Sequence, residues 1–154
     1  MKRIYIVTAL SVAACSLMAA PLPDPSKLPP ASKQEGVTYE KDIHPIFEES
    51  CNNCHGERRP AGGLQLTTLE GTLKGGKDGK VIIPEHSEKS PLVFSVANID
   101  GKIAMPRKPR APRPGMNGNT NAPTPPPAAE QHPWRPLTPE QVGLIRAWVD
   151  QGAK

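Results

Sequence analysis

Aromatic side chains are scarce. Two Trp, two Tyr and two Phe make up 4% of 154 residues, and hydrophobic residues reach only 36%. That is too little apolar volume for a large interior, so the chain is held to one small domain. Cysteine is confined to Cys15, Cys51 and Cys54, which leaves no disulfide framework to staple the fold. Only one Cys-x-x-Cys occurs, and no His-x-x-x-His accompanies it, so four ligands for tetrahedral zinc are missing. The chain also lacks a Ser/His/Asp set, a His-Glu-x-x-His motif, a phosphate-binding glycine loop and any internal repeat. The longest apolar stretch, Ile4 to Ala14, is too short for a comfortable membrane span.

What that stretch does offer is an export signal. Lys2 and Arg3 precede it, and Met18-Ala19-Ala20 supplies small residues for cleavage, so residues 1–20 read as a signal peptide. Val12-Ala13-Ala14-Cys15 also resembles a lipobox, which would leave Cys15 lipidated and the chain anchored; otherwise Cys15 is removed with the signal. Both readings place the mature protein outside the cytoplasm, in the periplasm, with membrane contact only through a lipidated Cys15. The net charge of +4 becomes +2 once Lys2 and Arg3 are gone. An exported chain of this kind is not expected to bind nucleic acid.

Cys51-Asn52-Asn53-Cys54-His55 constrains function most tightly. Two cysteines three apart and an adjacent histidine form the attachment pattern for c-type haem. One helical turn presents both thiols to the two vinyl groups, and the histidine offers an imidazole nitrogen to the iron. Three other readings compete. A thioredoxin-like pair expects a βαβ context that is not visible here, zinc lacks ligands, and a Cys51–Cys54 disulfide is the bland option for an exported chain. Haem is favoured, because the histidine and the export signal agree and a buried porphyrin would fill the apolar deficit. One motif implies one haem.

Residues 21–36 read as a disordered, proline-rich tether, and residues 37–154 as the domain. Asp42 is the expected cap of a helix with Pro45 in its first turn. Ile43, Ile46 and Phe47 share one face that leads into Cys51. The last helix is marked by Thr138, Pro139 and Gln141 as a capping box, by Leu137 and Val142 as a staple, and by Gly152 as a stop. Its stripes are Val142, Ile145, Val149 and Leu144, Trp148, with Trp148 read as a packing residue. Ser90-Pro91 opens a short helix through Val96. Between these elements the chain reads as loop, with Leu64, Leu66 and Leu69 available to wall a haem. Residues 106–136 hold half of the 20 prolines and read as a long Pro-rich loop or insertion.

The iron's second axial position is open in this reading. Met105, Met116, His86 and His132 are the downstream candidates, and a vacant site would suit gas or peroxide chemistry. Met105 is favoured because Pro106 stiffens its loop, while Met116 lies among Gly, Asn and Pro.

Several segments together resemble a planctomycete-type cytochrome c domain. They are Val37-Thr38-Tyr39-Glu40-Lys41-Asp42-Ile43 with Pro45-Ile46-Phe47, Cys51-x-x-Cys54-His55-Gly56, Gly62-Gly63-Leu64-x-Leu66, Ile83-Pro84, Ser90-Pro91-Leu92, Met105-Pro106, Leu137-Thr138-Pro139-Glu140-Gln141 and Trp148 through Ala153. The resemblance covers residues 37–105 and 137–153. It implies an all-α class I cytochrome c fold, a small helical domain wrapped around one covalent haem, with His55 and Met105 as axial ligands. The Pro-rich stretch after Met105 departs from the family, which usually runs there through a short loop.

The expected function is therefore single-electron transfer by an exported monohaem carrier. The rivals are a small haem enzyme with an exchangeable ligand, and an electron-delivery subunit of a larger exported oxidoreductase. Lys102, Arg107, Lys108, Arg110, Arg113 and Arg135 face a single acid, Glu130, between residues 102 and 135. That cluster would either steer an acidic redox protein partner to the 102–113 segment or serve only as a solvated loop whose charges aid solubility. Arg58 and Arg59 are candidates for the haem propionates.

Overall fold

The computed structural model describes residues 22–108 and 135–154. Among these residues the structure is helical and contains no strand, only an isolated bridge between Gly76 and Gly79. The export signal with Cys15, most of the Pro-rich loop, Met116, His132, Arg110 and Arg113 lie outside the described residues. No described helix is long and apolar enough to cross a membrane.

The first helical segment begins earlier than an Asp42 cap would place it. Thr38 is the N-cap, and Tyr39–Ile43 form a π-turn that runs directly into α1, His44–Ser50. Pro45 accounts for the wide turn. It has no N–H for the Lys41 carbonyl and its ring crowds that oxygen, so the ladder opens and the His44 N–H reaches back five residues to Tyr39. Asp42 instead reaches backward, accepting from the Thr38 N–H at 2.9 Å. Ile43, Ile46 and Phe47 are buried as their spacing predicts. The chain then passes into α2, Asn52–His55.

A further helix, α3 (Leu69–Lys74), occupies a stretch read from sequence as loop. Its signal was Thr68, whose hydroxyl caps the Gly71 N–H at 3.1 Å, but Gly71 and Thr72 are weak helix formers and masked it. Gly71 is there for space: a Cβ would meet the Gln65 carbonyl oxygen at 3.0 Å. In α4, Pro91–Val96, Leu92, Val93, Phe94 and Val96 are buried. Ser90 stands at the N-cap without capping. Its hydroxyl accepts from the Ile83 N–H at 2.9 Å and donates to the His86 carbonyl at 2.9 Å, tying the preceding loop to the helix.

The last helix, α5 (Pro139–Asp150), has its capping box in full, with Thr138 Oγ1 accepting from the Gln141 N–H and Gln141 Oε1 from the Thr138 N–H. Leu137 and Val142 are both buried across that start, and Gly152 adopts φ +95° just past the end.

The expectation of a disordered tether fails for residues 22–36. After a 3₁₀ turn at Pro25–Lys27, Leu28 enters the core and the chain lies along α5 as a strap. The Ser32 N–H donates to the Gly143 carbonyl at 2.9 Å, and Arg146 Nη1 donates to the Pro29 carbonyl. The Gln151 side chain donates to the Gln34 carbonyl and accepts from the Val37 N–H. Gly143 permits the approach, since a Cβ there would stand 2.7 Å from the Pro30 oxygen. Proline richness described the backbone well. It gave no hint that α5 carried the donors and the glycine to receive it.

At the centre sit Tyr39, Phe47, Phe94 and Trp148, all under 2% exposed. These are all the Phe, Tyr and Trp residues described, and they are concentrated in one core. The Tyr39 ring lies 5.8 Å from Trp148 and 6.2 Å from Phe47, joining the first helical segment to α5. Trp148 is thus a packing residue, and its Nε1–H donates to the Lys154 carbonyl at 2.9 Å.

Candidate haem-attachment site

Cys51 follows α1 directly, with its N–H bonded to the Phe47 carbonyl at 2.8 Å. The buried face of α1 therefore dictates where the motif starts. The Cys54 and His55 N–H groups both donate to the Cys51 carbonyl, at 3.0 and 2.9 Å, folding the five residues into one turn. Gly56 closes it under a tight constraint: a Cβ would lie 2.6 Å from the Asn52 carbonyl oxygen.

Neither thiol is joined to the other in the structure. They differ in setting. Cys54 is exposed, whereas Cys51 packs against the core and its pKa is pushed up to about 12, mainly by burial and secondarily by the nearby Cys54 charge. No group of three His, Cys, Asp or Glu side chains gathers among the described residues, so the zinc reading gains no partners.

His55 is partly buried, and its Nδ1 lies 3.1 Å from the Leu64 carbonyl oxygen. A carbonyl only accepts, so this contact places the ring proton on Nδ1 and leaves Nε2 with its lone pair free. A neutral imidazole oriented through its second nitrogen is how a protein prepares an iron ligand. The Leu66 N–H donates to the His55 carbonyl at 2.8 Å, so the 64–66 segment grips His55 twice. Leu66 is buried and Leu64 and Leu69 are partly buried against the core. The Asn52 Oδ1 is buried within this turn without a hydrogen-bond partner. Two thiols on one turn and an oriented histidine together fit a covalently held haem.

Met105 stands on a different element, the turn after α4. Its N–H donates to the Ser95 carbonyl at 2.8 Å, and the Ile103 and Ala104 N–H groups both bond to Asp100. The residue is half-buried, on a turn fixed by backbone bonds as well as by Pro106. A concavity of about 520 Å³ opens beside it between Asn98, Gly101, Ala104, Pro106, Arg107 and Lys108, and Cys51, Cys54 and His55 take no part in its lining. His86 is exposed and engaged with Glu88 at 3.1 Å, a poor station for a ligand. Of the basic cluster, Lys102 and Arg107 are exposed, while Arg135 pairs with Glu49 at 2.9 Å. Arg58 and Arg59 are exposed.

A small helical domain whose chain offers two thiols and a histidine on one turn has the architecture of a c-type cytochrome. Residues 51–109 match the family model described as planctomycete cytochrome C, which supports a planctomycete-type cytochrome c domain in that part of the chain. Domains of that family imply haem c as cofactor and suggest haem-based electron transfer. No curated protein and no solved structure matches the chain.

Proposed function

We propose that this protein is an exported monohaem c-type cytochrome that carries single electrons between redox proteins. Cys51 and Cys54 would hold the haem through thioethers, and His55 and Met105 would be the ligands to its iron. The bond between His55 Nδ1 and the Leu64 carbonyl carries the reading, because it fixes the tautomer that an iron ligand requires. When bound, the haem iron supplies a one-electron couple between its ferric and ferrous states. The chain's own residues anchor, orient and insulate. Cys51 roots the turn in the core, the Leu64–Leu66 segment aims His55, and a thioether sulfur at Met105 would favour the ferrous state and occupy the position that exogenous ligands need.

Export through residues 1–20, with or without lipidation at Cys15, puts the chain where such haems are attached. The exposed Lys102 and Arg107 flank Met105 and favour an acidic redox partner.

Visible spectra of the purified protein and of Met105→Ala test the assignment. We expect a low-spin wild type that does not bind carbon monoxide, and a variant that turns high-spin and binds it. A wild type that binds carbon monoxide readily would remove Met105 as ligand and favour the small haem enzyme. Haem lost on denaturing electrophoresis would remove the thioethers.

A further inference from the structure

The His55 acceptor is itself held in place from a distance. Leu64 offers its carbonyl to His55, and two residues on, Leu66 returns its N–H to the His55 carbonyl. A second backbone acceptor of that segment, the Leu66 carbonyl, takes a hydrogen bond from Tyr39 Oη at 2.9 Å. Tyr39 lies 25 positions before Leu64, in the π-turn that Pro45 creates. Its ring is 1% exposed and wedged against Phe47 and Trp148, and its own N–H is bonded to the Lys154 carbonyl at 2.9 Å. A donor so immobilised can impose a position on the loop it touches. The hydroxyl remains a donor across ordinary pH, since burial raises its pKa against a smaller opposing effect of the Thr72 hydroxyl.

We infer that Tyr39 is a positioning residue for the axial ligand: its hydroxyl fixes the Leu64–Leu66 segment and thereby sets the strength of the hydrogen bond to His55 Nδ1. The inference rests on the haem reading above. A stronger bond at Nδ1 makes the imidazole a better electron donor and stabilises ferric iron; a slack one does the opposite. Tyr39 therefore tunes the reduction potential without touching either the haem or its ligand.

Tyr39→Phe keeps the ring and removes the hydroxyl, leaving the buried Leu66 carbonyl without its donor. In the holoprotein the midpoint potential should rise. In the ferrous protein, the His55 Nδ1–H should exchange with solvent about five- to tenfold faster by NMR, roughly the equilibrium worth of one hydrogen bond. Gly143→Ala, on the strap side of α5 where the added Cβ would meet the Pro30 oxygen, is the control for lost stability: it should lower the melting temperature and leave both readouts at wild-type values. An unchanged potential and exchange rate in Tyr39→Phe would overturn the inference, as would equal changes in the control. Failure of the underlying reading looks different, since a wild type without covalent haem shows neither signal.

Discussion

Cys51 and Cys54 are chemically unequal although the motif treats them as a pair. A thiol whose pKa is about 12 is ionised to roughly one part in ten thousand at pH 8. Alkylation acts on the thiolate, so in the haem-free chain at about pH 8 we expect Cys54, exposed on the far side of the turn, to react well before Cys51. Peptide mapping of a time course checks the order. The same shift carries a sign for stability. The folded state favours the neutral thiol, so its contribution is complete below the ordinary thiol pKa of 9.0 and is lost as pH rises from there through about 12. Raising the pH of the haem-free chain through that range should loosen the fold and equalise the two reactivities. Nothing in Cys-x-x-Cys-His foretells the asymmetry; it comes from the core face of α1, which reaches Cys51 and stops short of Cys54.

At the scale of elements, what could be read in advance was what depends on near neighbours in sequence. The capping box of α5 needs only Thr138 and Gln141, three apart, and both hydrogen bonds are made. The burial of Ile43, Ile46 and Phe47 needs only helical spacing. The motif turn was equally local, whereas the partner of His55 Nδ1 lies nine residues away and had no sequence signal beyond a run of leucines. The strap was opaque for the same reason: its meaning lies in Gly143, Arg146 and Gln151, more than a hundred residues later. Gly143→Ala tests that dependence. The added methyl would stand 2.7 Å from the Pro30 oxygen, a backbone atom that can yield only by moving the strap. We expect a loss of about 1–3 kcal/mol in denaturant unfolding and faster proteolytic cleavage between residues 22 and 36.

For the whole molecule, charge is modest but unevenly spent. Glu49 engages Arg135 in an exposed pair, an interaction worth little for stability, and so occupies one cation of the basic cluster. Lys102 and Arg107 keep their exposure there. Electron transfer to an acidic protein acceptor should therefore slow as ionic strength rises, and Lys102→Glu with Arg107→Glu should slow it further and flatten the salt dependence. Stopped-flow rates across a salt series give both slopes.

The strap also orders events in time. A chain emerges amino end first, so residues 22–38 appear before the helix that receives them, with over a hundred positions in between. Tyr39 waits likewise for Trp148 and for the Lys154 carbonyl. Contacts of such long sequence separation close late. Until α5 arrives residues 22–38 lack the helix they lie on, and the Cys51 thiol, sequestered once the core shuts, stays open to chemistry for that interval.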